Sequence, residues 1–238
     1  MMNQQSTFRS IIPPVTLNLI LINVIIWIAS RVLPSTVGID LIELLGLHFP
    51  GAAHFNPIQF VSYLFLHDTR DFMHLFFNMF AVFMFGRMLE GLWGSKRFLF
   101  FYLVTGIGAG LVQELTWAWS LRDLLFSDAT MVDTGDGIFP RSSVLDMLVT
   151  IGASGSVFGI LLAFGMIFPN APLYIMFIPI PVKAKYVVIA YGLIEVFAGI
   201  ANFSGDNVAH FAHLGGMLFG LILILYWRKR YPRDGFFL

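Results

Sequence analysis

Thr150 to Phe168 reads TIGASGSVFGILLAFGMIF, and not one of its side chains is charged. An apolar run of about 20 residues is long enough to cross the hydrocarbon of a bilayer as a helix. A helix also satisfies its own backbone hydrogen bonds where lipid offers none. This stretch therefore reads as a membrane span and sets the class of the whole chain, a helical membrane protein. It also carries an oddity. Its first half, Gly152 to Gly159 (GASGSVFG), places two hydroxyls among three glycines, where plain hydrocarbon would span more cheaply.

The rest of the chain agrees with the class. Of 238 residues, 58% are hydrophobic and 12% charged, whereas soluble domains carry about a quarter charged residues; mean hydropathy is +0.80. Six stretches, approximately 13–31, 72–92, 97–117, 150–168, 185–203 and 207–227, are apolar enough to span. An all-α bundle of six transmembrane helices follows, as a single membrane domain over residues 1–238. The first apolar run ends without a small-residue cleavage site, so it reads as a retained span. The outer segment 32–71 holds apolar pieces too short to cross and reads as interfacial or re-entrant. A second outer loop, 118–149, combines a short helix at Trp119 to Phe126 with the turn-prone Asp133-Thr-Gly-Asp-Gly137.

Charge placement gives an orientation. With the amino terminus inside, the inner side collects Arg9, Arg87, Lys96, Arg97, Lys183, Lys185, Arg228, Lys229, Arg230 and Arg233, and the outer side only Arg31, Arg70, Arg122 and Arg141. Both termini are then cytoplasmic by the positive-inside rule. A net charge of zero gives no attraction to nucleic acid, and the absence of cysteine excludes disulfides and thiolate chemistry.

Polar groups at membrane depth are costly and mark function. The second span carries His74 and Asn78 at i, i+4, on one helix face. The fourth opens with Gly152, Ser154 and Gly155, the fifth holds Glu195, and the sixth carries His210 and His213 before Gly216 and Gly220. All three helices bearing the histidines and Ser154 start from the outer side. A serine hydroxyl needs a base, and a neutral imidazole is suited to that task near neutral pH. An oxyanion needs donors, which Asn78, His74 and the backbone N–H groups of a helix start can provide. Gly216 and Gly220 form a G-x-x-x-G that lets backbones approach closely, as do Gly152, Gly155 and Gly159 on the fourth span.

His74-Leu-Phe-Phe-Asn78, Gly152-Ala-Ser-Gly155 and Ala212-His-Leu-Gly-Gly216, in that order on spans two, four and six, resemble the rhomboid family of intramembrane serine proteases. The resemblance runs from about Phe55 to Tyr226 and includes Gly86-Arg-Met-Leu-Glu90 with Gly94. It implies the rhomboid bundle and an endopeptidase that cleaves transmembrane or juxtamembrane segments of membrane proteins. On this resemblance, Ser154 is the nucleophile and His213 the base of a dyad without a third acid; His74, Asn78 and the Ser154 N–H hold the oxyanion. Phe158 lies against the imidazole, and Glu90 is a structural hydrogen-bonding residue. The segment 203–206 caps the site, and substrate passes between the second and fifth spans, with Phe197 at the gate.

Other readings stand beside this one. A rhomboid-like protein could bind transmembrane clients without cutting them, although such proteins lose the serine or the histidine, and both are here. A transporter could relay protons through Glu195 and the histidines. By itself G-A-S-G is more often helix packing, and His74 with Asn78 could be interhelical glue. Glu195 is left structural or unassigned. His210 and His213 lack an evident carboxylate ligand in the sequence, so no metal is expected, and no other cofactor. The expected partners are transmembrane protein substrates and membrane lipid. The expected location is a bacterial cytoplasmic membrane, with the site opening outward.

Overall fold

The computed structural model describes residues 12–135, 137–174, 180–201 and 209–230, and they are mostly helical. Among the described residues, five helices are long and apolar enough to cross a membrane: α1 (Pro14–Val37), α4 (Phe72–Trp93), α5 (Ser95–Ser120), α9 (Ala184–Ala201) and α10 (His210–Arg230). Shorter helices α2 (Leu41–Leu45), α3 (Gln59–Ser62), α6 (Arg122–Leu125) and α7 (Arg141–Asp146) belong to the connections. The stretch Thr150 to Phe168 contributes α8 (Ser154–Ile167), only 14 residues long.

At 1.5 Å per residue, α8 is about 21 Å long, against a hydrocarbon thickness of about 30 Å. The expected span 150–168 thus loses its first four residues to other structure. Val149–Thr150 (β4) pairs antiparallel with Leu47–His48 (β1), and the helix begins only at Ser154. Ten of the 14 residues of α8 are buried, against α10 and α5 above all. A short helix ringed by neighbours meets little lipid, so its length need not match the bilayer. The long helices turn apolar side chains outward, among them Phe76 and Phe80 on α4, Ile189 and Leu193 on α9, and Ile222 on α10.

Missing side chains bring α8, α5 and α10 together. A Cβ on Gly216 would collide with the backbone of Gly155, and one on Gly159 would stand 2.8 Å from Thr105 and 3.1 Å from the Gly216 carbonyl. Gly220 faces the Gly159 Cα in the same way, at 3.4 Å. The neighbouring hydroxyl, Ser156 Oγ, donates to the Tyr102 carbonyl at 2.8 Å. Ser156 is a packing residue.

The segment 32–71 is more than an interfacial layer. Leu47, Tyr63, Leu64 and Leu66 are buried, and the Tyr63 hydroxyl donates to the Gly106 carbonyl of α5 at 2.6 Å. Gln59 makes this burial tolerable for an irregular backbone: its Oε1 accepts from His48 and Asn56 N–H, and its Nε2 donates to the His54 and Leu44 carbonyls. In the 118–149 loop, α6 falls inside the expected short helix, and the Asp133 to Gly137 turn joins β2 (Met131–Asp133) to β3 (Ile138–Pro140). A third two-stranded ladder joins β5 (Pro172–Leu173) to β6 (Val182–Lys183), between α8 and α9.

Glu90, buried at the far end of α4, accepts from the Val15 and Thr16 N–H groups, from Thr16 Oγ1 and from Ser95 Oγ. One carboxylate thus caps the start of α1, where free N–H groups and the helix dipole favour an anion. It also ties α1 to the α4–α5 junction.

Candidate active site

The backbone prepares Ser154 before any neighbour arrives. Gly152 has φ +127°, a conformation side chains rarely adopt, and its N–H donates to the Tyr63 carbonyl at 3.0 Å. This bond holds the turn that leads into α8, so Ser154 is the first residue of the helix. N–H groups in a first turn have no intrahelical acceptor, and here they lie beside the hydroxyl.

Two other helix starts converge on it. Ser154 Oγ lies 2.8 Å from His213 Nε2, in the first turn of α10. On the other side of the ring, Phe158 stacks on the imidazole at 4.3 Å between centroids, with 9° between the planes. One turn of α8 thus supplies both the hydroxyl and the surface that fixes the ring opposite it.

From α4, His74 approaches Gly152 so closely that a Cβ there would stand 3.2 Å from Nε2. His74 Nδ1 accepts from the Asp68 N–H at 3.5 Å, at the limit of a hydrogen bond. That contact leaves the proton on Nε2, directed at the site. Asn78 Nδ2 gives one proton to the His74 carbonyl at 2.9 Å, and an amide nitrogen has a second to give. Ser154, Phe158, His213, His74 and Asn78 all line one cavity of about 1580 Å³. Gly152 and Gly155 line it too, while Gly216 and Gly220 sit behind it in the helix contact.

Glu195 changes the sequence reading, in which the site had no acid. Its Oε2 stands 2.7 Å from His210 Nδ1 and 3.0 Å from His213 Nδ1. The first contact is a hydrogen bond. The second has the distance of an ion pair, but His213 Nδ1 makes no hydrogen bond there. Glu195 was visible as an ionisable residue in a span, but its rotation and depth against His213 were not. Donor atoms of Glu195, His210 and His213 lie within 4.8 Å of one another, a set of types that can bind a metal. Ligands around zinc stand about 3.4 Å apart at tetrahedral angles, so 2.7 and 3.0 Å to a single oxygen fit shared protons better.

Phe197 is exposed on α9, which packs on α8 and α10 and has no extensive contact with α4. The capping segment expected at 203–206 lies outside the described residues.

Fold and site together define a polytopic helical membrane protein with a hydroxyl–imidazole pair facing a cavity. The rhomboid domain family matches residues 54–230, and the chain belongs to that family. It is 28% identical to rhomboid-like protein 11 of Arabidopsis thaliana chloroplasts, over 70% of this chain and 51% of that protein. It is 27% identical to mitochondrial rhomboid protein 1 of Saccharomyces cerevisiae, over 73% of this chain and 43% of the relative. A rhomboid protease of Providencia stuartii is 28% identical over 63% of the chain and 49% of its own length. The chain spans about half the length of these curated relatives.

Proposed function

We propose that this protein is an intramembrane serine endopeptidase that cleaves transmembrane or juxtamembrane segments of membrane proteins. The observation that carries the reading is the 2.8 Å contact between Ser154 Oγ and His213 Nε2 at the cavity wall. Ser154 Oγ adds to the scissile carbonyl carbon as its proton passes to His213 Nε2. The oxyanion that forms faces Asn78 Nδ2–H, His74 Nε2–H and the Ser154 N–H, three donors in place before the charge develops. Collapse expels the amine, which takes the proton from His213 Nε2–H. Water in the cavity then hydrolyses the acyl-enzyme by the same route. Phe158 keeps the imidazole in plane throughout.

Membership of a family whose proteases act on membrane proteins supports the substrate class. The loose packing between α4 and α9 supports lateral access past Phe197. The positive-inside count supports cytoplasmic termini and a site open to the outer face of the membrane. In proteoliposomes, Ser154→Ala and His213→Ala should each abolish cleavage of a transmembrane reporter. A fluorophosphonate probe should label the wild type and neither variant. A wild type that neither takes the label nor cuts the reporter would instead describe a binder of transmembrane clients. Cleavage undiminished in both variants would remove the assignment altogether.

A further inference from the structure

The proposed nucleophile and base use only the Nε2 edge of His213. Its other edge is not exposed to lipid or water. Nδ1 faces the carboxylate of Glu195 at 3.0 Å, and both residues are more than nine-tenths buried. A carboxylate in that setting has to be accounted for, because burying a charge is costly unless other groups compensate it.

Imidazole tautomerism decides what the carboxylate does. For Nε2 to take the Ser154 proton it must hold a lone pair, and in the neutral ring the proton must then sit on Nδ1. With Glu195 beside Nδ1, that tautomer is favoured: the opposite one would set two acceptors, Nδ1 and Oε2, against each other at 3.0 Å. The carboxylate also lies next to the ring when it gains a second proton and becomes a cation. Glu195 is itself held. His210, one turn before His213, places Nδ1 2.7 Å from the same Oε2, so a hydrogen bond from α10 limits rotation of the carboxylate on α9.

We propose that Glu195 is a positioning residue for His213 and extends the site to Ser154–His213–Glu195, with His210 anchoring the carboxylate. The inference rests on the serine–histidine reading above. Glu195 touches no reacting atom and transfers no proton; the Nδ1 proton stays on His213 while the Ser154 proton moves to Nε2. Because His213 Nδ1 makes no hydrogen bond in the resting protein, a small rotation of either group completes one to Oε2 once the ring is charged. Catalytic hydrogen bonds commonly tighten in this way on the reaction path.

The test uses the full-length protein in proteoliposomes. Reporter cleavage gives kcat and KM, and a small fluorophosphonate, which needs the base but no passage of a transmembrane segment past α9, gives the labelling rate of Ser154. Glu195→Gln keeps the size and removes the charge. The expected result is a fall of about tenfold or more in both kcat and labelling rate, with KM within about twofold, as for the loss of an interaction made only in the transition state. Glu195→Asp, which keeps the charge, should recover part of both rates, and His210→Gln should lower them less than Glu195→Gln does. In nitrogen-15 histidine spectra, His213 should be the Nδ1–H tautomer in the wild type, with a mixture in Glu195→Leu. Wild-type labelling by Glu195→Gln, or a change confined to KM, would overturn the proposal, because either outcome leaves Glu195 as a helix-packing or access residue. If Glu195→Gln does not fold, Glu195→Asp and His210→Gln carry the test: wild-type labelling by both overturns it, and a graded fall supports it. Failure of the underlying reading is a separate outcome, in which Ser154→Ala itself remains active.

Discussion

Ser154 and Ser156 stand two positions apart on one helix and share a chemistry, yet their surroundings differ. Ser156 is fully buried and spends its hydroxyl on the Tyr102 carbonyl. Ser154 faces an imidazole across a cavity wall. The difference comes from Gly152, whose positive φ starts the helix where only Ser154 can face the opening. Gly152→Ala should therefore reduce labelling of Ser154 by about tenfold or more, since a strained backbone at this point costs roughly 1–3 kcal/mol and the added methyl meets His74. Equal labelling at equal folded fraction would count against that role.

His67 gives a pH prediction at the same scale. It lies outside the spanning helices and is fully buried, with neither ring nitrogen bonded. Burial, and then the neighbouring His74 ring, holds its imidazole down to about 3 from the usual 6.5. The unfolded chain takes up this proton below 6.5 and the folded one does not until about 3. Stability should thus decline as pH falls through that window and be unaffected by this group above it. Thermal melts at pH 7 and pH 4.5 should converge in His67→Phe relative to wild type.

At the scale of elements, the helix contacts were foreshadowed by spacing. His213, Gly216 and Gly220 lie at i, i+3 and i+7, and the last two meet Gly155 and Gly159 of α8 as bare backbones. Gly216→Val should separate α8 from α10 and cost more than about 2 kcal/mol, the usual scale of overpacking in a tight core. The melt should shift down and labelling should fall with it, because the same contact sets the Ser154–His213 distance. Glu90 behaves differently. Removing its carboxylate in Glu90→Ala strands four donors at the start of α1 and at Ser95. A loss of about 2 kcal/mol or more is expected, with labelling per folded molecule unchanged because Glu90 lies at the end of α4 away from His74 and Asn78 and does not line the cavity. The apolar pieces of segment 32–71 were legible as too short to span, but not as core. Their burial depends on Gly106 and Gly110 of α5 leaving room and on Gln59 bonding the loop backbone.

For the molecule as a whole, the charge-poor composition settled a helical membrane protein, because only self-satisfied backbones survive in lipid. It settled likewise that three helix starts carry polar groups on one side. Residue types and their order along the chain were enough for that, and the family resemblance of the three motifs matched Ser154 with His213. Length along the helix was less well determined: the fourth span shrank to 14 residues because pairing of Val149–Thr150 with Leu47–His48 takes up its first turn. The place of Glu195 was decided by tertiary structure alone. Hydropathy and periodicity report how each helix partitions between lipid and protein, but not the rotation and depth at which two helices meet. Only the packing of α9 on α10 sets a carboxylate from one beside two imidazoles from the other.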